Sequence, residues 1–267
     1  MLKNIINYMK AIHYSIDDVF DVFRRLTELH PKSIFELPFF AYFQKLHQRY
    51  GLVISCYCFF KKGDFSLCDV TRAYKTEFER NSSWIRFGFH GYTGCEDYNL
   101  QALDESICQY RKVICNLREI VGENSLDTFP RIHTFRASRD FLHYLADNDI
   151  LSLKGVLAAD DDRISYSLTF SENEELKHQG ILIKDNLCFL KTSQRFDGLG
   201  LRMQKKLFSH MGGHVILFTH EWLLYHPHNL KNKIKSVFIK QLMTISCKYY
   251  SKKGYCFAFP MDYNLNN

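Results

Sequence analysis

Two adjacent carboxylates, Asp17 and Asp18, end an apolar run near the N-terminus, Ala11-Ile12-His13-Tyr14-Ser15-Ile16. Neighbouring carboxylates repel, so as plain structure the pair is a poor choice for a strand end. A divalent cation removes the conflict. One carboxylate binds the ion and the other stays free as a base beside a polarised water. The competing reading is an Asp pair that caps the following helix. Three later strand-like runs also end in residues suited to a site: Phe87-Gly88-Phe89-His90, Arg131-Ile132-His133-Thr134-Phe135-Arg136 and Ile216-Leu217-Phe218-Thr219-His220.

Together these ends hold what amide hydrolysis requires. A bound Zn²⁺ polarises a carbonyl and brings its water to a pKa of about 7. Asp17 can take the water proton, and His220, with an unperturbed pKa of about 6.5, can donate to the leaving amine. Arg136 is the candidate to hold a carboxylate ionised, being always charged and able to bond bidentately. Asp18 and His90 make two metal ligands where a catalytic zinc normally has three. His133 is the first choice for the third, although strand alternation would point it away from Arg136. Glu96 and Asp97, in the loop after His90, are the alternatives.

Around these residues apolar, β-rich runs alternate with helical patterns. The expected strands are 11–16, 52–60, 84–90, 130–136, 154–159, 187–191, 214–219 and 255–259. Ser33 to Glu36 reads as a capping box, followed by Phe39, Phe40, Phe43 and Leu46 at helical spacing and by Gly51. Further helices are expected over 69–80, from an Asp104 cap to Gly122, over 138–147, after a second capping box at Ser171 to Glu174, and over 230–250. Asp185-Asn186 is a hairpin-turn candidate. The alternation predicts a parallel α/β fold, and the strand-end placement of polar residues suits a TIM-like barrel. No phosphate-binding glycine motif follows the first strand, which argues against a doubly wound nucleotide-binding sheet. No linker or repeat is visible, so residues 1–267 read as one domain.

The strand ends resemble those of the polysaccharide deacetylase superfamily, metal-dependent carbohydrate esterases built on a (β/α)7 barrel. The resemblance runs over nearly the whole chain in motif order, each motif being short. Ser15-Ile16-Asp17-Asp18 is similar to the first motif, which implies Asp17 as catalytic base and Asp18 as metal ligand. His90 matches the first of two ligand histidines spaced four apart, but Gly94 stands where the second would be. Phe135-Arg136 is similar to the third motif, without its prolines, and Asp160, Asp161 and Asp162 echo the fourth. Leu217-Phe218-Thr219-His220 is similar to the last, which implies His220 as general acid. More narrowly, the chain looks like a divergent branch found with surface-polysaccharide and O-antigen biosynthesis. The resemblance implies a carbohydrate substrate and a divalent metal, in keeping with the Zn²⁺ argued above.

Composition bounds the alternatives. The 267 residues are 46% hydrophobic and 24% charged, ordinary for a globular protein. Lys and Arg number 35 against 29 Asp and Glu, a net +6 that slightly favours anionic partners. Lysines concentrate near the C-terminus (231, 233, 235, 240, 248, 252 and 253), where a helix would carry them on its solvated face; with no recognised motif, no nucleic-acid partner is expected. No apolar run is long enough to span a bilayer. The first ten residues lack a signal-peptide pattern, and the nine scattered cysteines suggest reduced thiols, so a cytoplasmic location is expected. Trp222 could stack on a sugar or pack in the core. His13, His30, His47, His143, His178, His210, His226 and His228 read as ordinary structure, with adventitious metal binding by the closely spaced His226 and His228 as the lesser alternative. Beside the deacetylase stand two other classes: a metal-free carbohydrate-binding or scaffold protein on the same barrel, suggested by Gly94, and another metal-dependent hydrolase such as a phosphoesterase.

Overall fold

The computed structural model describes residues 10–197, 207–208, 213–225 and 229–263. The N-terminal stretch read for a signal peptide (apart from Lys10), His210, and the His226 and His228 pair lie outside them.

The first strand, β1 (Ala11–Val19), is the hub. It pairs in parallel with β2 (Ile54–Phe59) on one side and with β10 (His214–His220) on the other. β2 pairs in turn with β5 (Ile85–Gly91), while β3 (Lys61–Lys62) and β4 (Phe65–Ser66) form a small separate hairpin. A second sheet joins β6 (Gly155–Ala158) in parallel to β8 (Leu187–Lys191), with β7 (Ile181–Lys184) antiparallel on its edge.

Backbone hydrogen bonds connect the two sheets into a ring. The extended segment 126–132 bridges β5 to β6: Asp127 N–H donates to Phe87 O (2.8 Å), Lys154 N–H to Thr128 O (2.9 Å) and Leu157 N–H to Pro130 O (2.9 Å). On the far side β8 runs on into β9 (Gln194–Arg195), which pairs with β10. There Ser193 N–H donates to Ile216 O and Phe196 N–H to Phe218 O, each at 2.8 Å. The fold is therefore α/β, an irregular barrel of seven staves: β1, β2, β5, 126–132, β6, β8–β9 and β10.

Period-2 alternation sorts the side chains. Ile12, Tyr14 and Ile16 face outward into the large apolar shell beneath the helices. Ala11, Tyr57, Phe129, Leu157, Leu190 and Ile216 fill the lower barrel. Above them the interior turns polar, with Ser15, Asp17, Arg131 and Thr192 all buried.

The outer helices follow the predicted apolar spacing. Helix α1 (Asp21–Leu29) comes first, and α2 (Pro38–Tyr50) buries Phe39, Phe40, Phe43 and Leu46 and stops at Gly51, whose φ is +72°. Ser33 caps only a 3₁₀ turn ahead of α2. The 69–80 helix shortens to α3 (Lys75–Arg80). In α4 (Leu103–Val121) Asp104 lies in the first turn rather than at the cap. After α5 (Arg139–Ala146), α6 (Phe170–Gln179) is capped by Thr169 with Glu172, not from Ser171. Asp185 and Asn186 form the β7–β8 turn with φ of 50° and 63°, the left-handed pair a two-residue hairpin needs. A short α7 (Glu221–Tyr225) and a long α8 (Leu230–Lys252) complete the shell.

Two expected strands change character. Residues 130–136 are extended only to Ile132; a 3₁₀ turn follows at His133–Phe135, with Thr134 and Phe135 at φ of 59° and 60°. The C-terminal run shrinks to β11 (Cys256–Phe257), which pairs with the start of β1 and is no stave.

Candidate active site

The polar residues meet at the C-terminal ends of the staves, and a backbone irregularity makes this possible. Strict alternation would turn Asp17 into the barrel and Asp18 away from it. The β1–β2 register shifts between Ile16 and Val19, and Asp18 takes a left-handed φ of 58°. Such a conformation costs a non-glycine residue of order 1 kcal/mol or more, and here it swings the second carboxylate back to the cleft. A second shift lies between Cys58 and Phe59 opposite His90.

Asp18, His90 and His133 then converge, with candidate ligand atoms all within 4.8 Å of one another. His90 Nδ1 faces the carbonyl oxygen of Arg131, which can only accept, so Nδ1 carries the proton. That leaves Nε2 facing Asp18 Oδ1, 3.2 Å away, where either a proton or a cation joins the two atoms. A ring whose far nitrogen is held by a carbonyl is also the usual arrangement of a metal-bound histidine. Nδ1 of His133 is buried with no hydrogen-bond partner among the described residues. Burial, with the charge of His90 adding to it, holds the His133 ring down at about 4, in the neutral form a metal needs. Burial alone would raise the Asp18 carboxyl, but the His90 hydrogen bond and the neighbouring imidazoles outweigh it and hold the group at about 2. One carboxylate and two imidazoles are the donor types that suit a divalent cation of zinc type.

Gly94 and the acidic loop leave His133 as the third candidate donor. Gly94 has φ +86°, and a Cβ there would lie 2.9 Å from Phe59 Cζ. A histidine there would be strained and would have to displace the Phe59 ring. Phe59 instead packs its ring against His90 and His133, at 4.9 and 5.3 Å between centroids. Glu96 is spent on its own turn, accepting from the N–H groups of Thr93 and Gly94. Asp97 pairs with Arg136 at 3.0 Å.

Arg136 is therefore not the arginine beside Asp17: its side chain is half exposed and paired with Asp97. Arg131 occupies the expected place. It is fully buried, its Nη1 donates to both carboxylate oxygens of Asp17 (2.9 and 3.0 Å) and to Ser15 Oγ (2.9 Å), and its Nη2 donates to Thr192 Oγ1 (2.9 Å). The guanidinium also lies 4.0 Å from the centre of the Phe218 ring. Arg131 and His133 are two apart and point the same way, so the alternation that spoke against His133 holds once Arg131 replaces Arg136.

His220 lies opposite Asp17 in the β1–β10 register. Its Nδ1 is hydrogen-bonded to Asp197, and Trp222 stands 6.1 Å away by ring centroids. Burial works against a charged ring, but the Asp197 hydrogen bond and charge, with Asp17 and Asp18, lift His220 to about 9. Asp197 was not singled out from the sequence because the strand was expected to end at residue 191; pairing continues to Phe196, which makes Asp197 a strand-end carboxylate. Asp160, Asp161 and Asp162 pair instead with Arg195, Arg163 and Lys177. Glu221 accepts from the N–H groups of Phe20, Asp21 and Val22 at 2.6–2.9 Å, tying the turn after Asp18 to the residue after His220. One residue past His133 opens a cleft of about 690 Å³ lined by Asn99, Thr134, Arg136, Asp161, Arg163 and Tyr166.

No family model matches the chain, and no curated protein does. Among solved structures it is similar to the Xyl-CE4 domain of a multidomain xylanase from the hindgut metagenome of Trinervitermes trinervoides, at 11% identity and TM-score 0.47 over 95% of this chain and 89% of that one. It is also similar to a deacetylase solved with substrate, at 10% identity and TM-score 0.49 over 94% and 88%. A third is a CE4 family pseudoenzyme from Bacillus anthracis, at 10% identity and TM-score 0.44 over 96% and 65%. At such identities and scores the likeness gives no residue a role; the case for a site is the convergence of Asp17, Asp18, His90, Arg131, His133 and His220 at one end of a seven-stave barrel.

Proposed function

We propose that this protein is a metal-dependent hydrolase that removes an acetyl group from an N-acetylated sugar. The observation that carries the reading is the conjunction, in one cleft, of a Asp18-His90-His133 donor set, a buried carboxylate at Asp17 and a cationic histidine at His220. A divalent cation held by Asp18, His90 and His133, with zinc favoured by the donor types, would polarise the acyl carbonyl and a water molecule. Asp17 accepts the proton of the attacking water, while Arg131 supplies the countercharge that fixes the carboxylate in place. The water oxygen bonds to the acyl carbon and the carbon–nitrogen bond breaks. His220 delivers its Nε2 proton to the departing nitrogen, its Nδ1 being bound to Asp197. Acetate and a free amine leave. The adjoining cleft, lined by arginine, aspartate and asparagine side chains, supports a substrate rich in hydroxyl groups.

The direct test is acetate release from N-acetylglucosamine oligomers by the zinc-supplied protein. Asp17→Asn should retain the metal and lose about 10²–10⁴ in turnover, the usual contribution of a general base. Full turnover in that variant, with its metal content verified, would remove Asp17 from the chemistry.

A further inference from the structure

Helix α8 has a second face that the fold does not use. Its inner side buries Ile239, Leu242, Met243, Cys247 and Tyr250 against the barrel. On the opposite side Leu230, Ile234, Val237 and Ile245 are 72%, 65%, 58% and 53% exposed. At about 100° per residue all four fall within one third of the helix circumference, and at about 1.5 Å per residue they run for roughly 22 Å. Scattered exposed apolar residues need no explanation, but four on one helix face, interrupted only by Gln241, mark an interaction surface.

The charge beside the stripe says what kind of surface it meets. The 23 residues of α8 include six lysines, 231, 233, 235, 240, 248 and 252, and no Asp or Glu. None of these lysines has a carboxylate within ion-pair distance among the described residues. Lys240 is turned to the Tyr225 ring, 3.9 Å from its centre. Lys231, Lys233, Lys248 and Lys252 are exposed.

We propose that the outer face of α8 docks on an anionic lipid surface, the helix lying in the interface with the Leu230–Ile245 stripe in the acyl boundary and the lysines on the headgroups. Apolar stripe and lysine rows together match what such helices present. A symmetric contact between two copies would bring the lysines of both helices together with no carboxylate on either helix to meet them. A nucleic acid would neutralise the lysines and leave the stripe in water. No helix among the described residues is long and apolar enough to cross a membrane, so the helix lies on the surface. It follows His220 by ten residues and returns to β11 at the start of β1, so the stripe begins on the active-site side of the barrel. The proposal does not depend on the hydrolase reading.

The test is co-sedimentation of the full chain with vesicles of phosphatidylcholine containing phosphatidylglycerol, beside vesicles of phosphatidylcholine alone. Binding should be at least about tenfold stronger to the anionic vesicles and weaken with salt. Ile234→Glu with Val237→Glu should abolish it without changing thermal unfolding, because both positions are exposed. Lys231→Gln, Lys233→Gln and Lys248→Gln together should weaken it by about 10², at roughly fivefold per lysine. Equal partition into both vesicle types overturns the proposal, as do variants that bind like the parent. So does a dimer, seen by light scattering, that the glutamate pair dissolves while vesicles bind neither protein.

Discussion

Replacing Arg131 by methionine keeps the stem volume and removes the charge that faces Asp17. Both side chains are almost fully buried, at 1% and 3% exposure, so Asp17 would lose the one cation bonded to it and keep only the more distant His220 ring across the β1–β10 pair. Breaking a buried ion pair by removing one partner costs about 3–5 kcal/mol, because the remaining charge stays desolvated. For a chain of this size that is a fall in Tm of roughly 6–20 °C. Adding Asp17→Asn to Arg131→Met removes the stranded charge, so the double variant should be more stable than the single arginine variant, with a coupling of about 2 kcal/mol or more. Arg136→Met breaks only a half-exposed pair with Asp97 and should change stability by less than about 1 kcal/mol. Thermal unfolding by circular dichroism in chelator keeps metal linkage out of the comparison. An Arg131→Met protein as stable as its parent, or one that Asp17→Asn fails to rescue, would refute the paired-charge account of the barrel interior.

Two further substitutions test the supports of the site. Gly94→Ala should cost about 1–3 kcal/mol in urea unfolding, from the left-handed φ of +86° and the 2.9 Å approach to Phe59, and parental stability would show that the loop relaxes freely. Asp197→Asn should move the alkaline limb of the pH–rate profile downward from about 9, since Asp197 is what lifts His220 and turnover needs that ring protonated. The stability His220 contributes is fully present below its unfolded value of 6.5 and is lost as pH rises through about 9. The gap between parent and Asp197→Asn should therefore close across that window, and a gap independent of pH would contradict it.

The strand ends were legible because each is an apolar run stopped by a polar residue, and β1, β2, β5, β6, β8 and β10 all lie where that pattern predicts. What the pattern misses is a break in the pleat. Asp17 and Asp18 share the cleft only through the bulge and left-handed turn at Asp18, and no propensity rule announces such a feature in a strand of β-branched and aromatic residues. Choosing between Arg131 and Arg136 required knowing where the strand stops. The turn at His133–Phe135 carries Arg136 out of register, while Arg131 and His133 keep the alternation of the strand. Asp197 was hidden by the opposite error, a stave that continues beyond its most apolar stretch. The outer stripe of α8 was masked by its lysines, which read alone as a solvated face.

The central claim is that Asp18, His90 and His133 form one metal centre. Calorimetric titration of the chelator-treated protein with Zn²⁺ tests it without reference to substrate. The account predicts one ion per chain, lost in His90→Ala and in His133→Ala and unchanged in Glu96→Gln. Absence of stoichiometric binding, or a His133→Ala protein that binds like its parent, would contradict it.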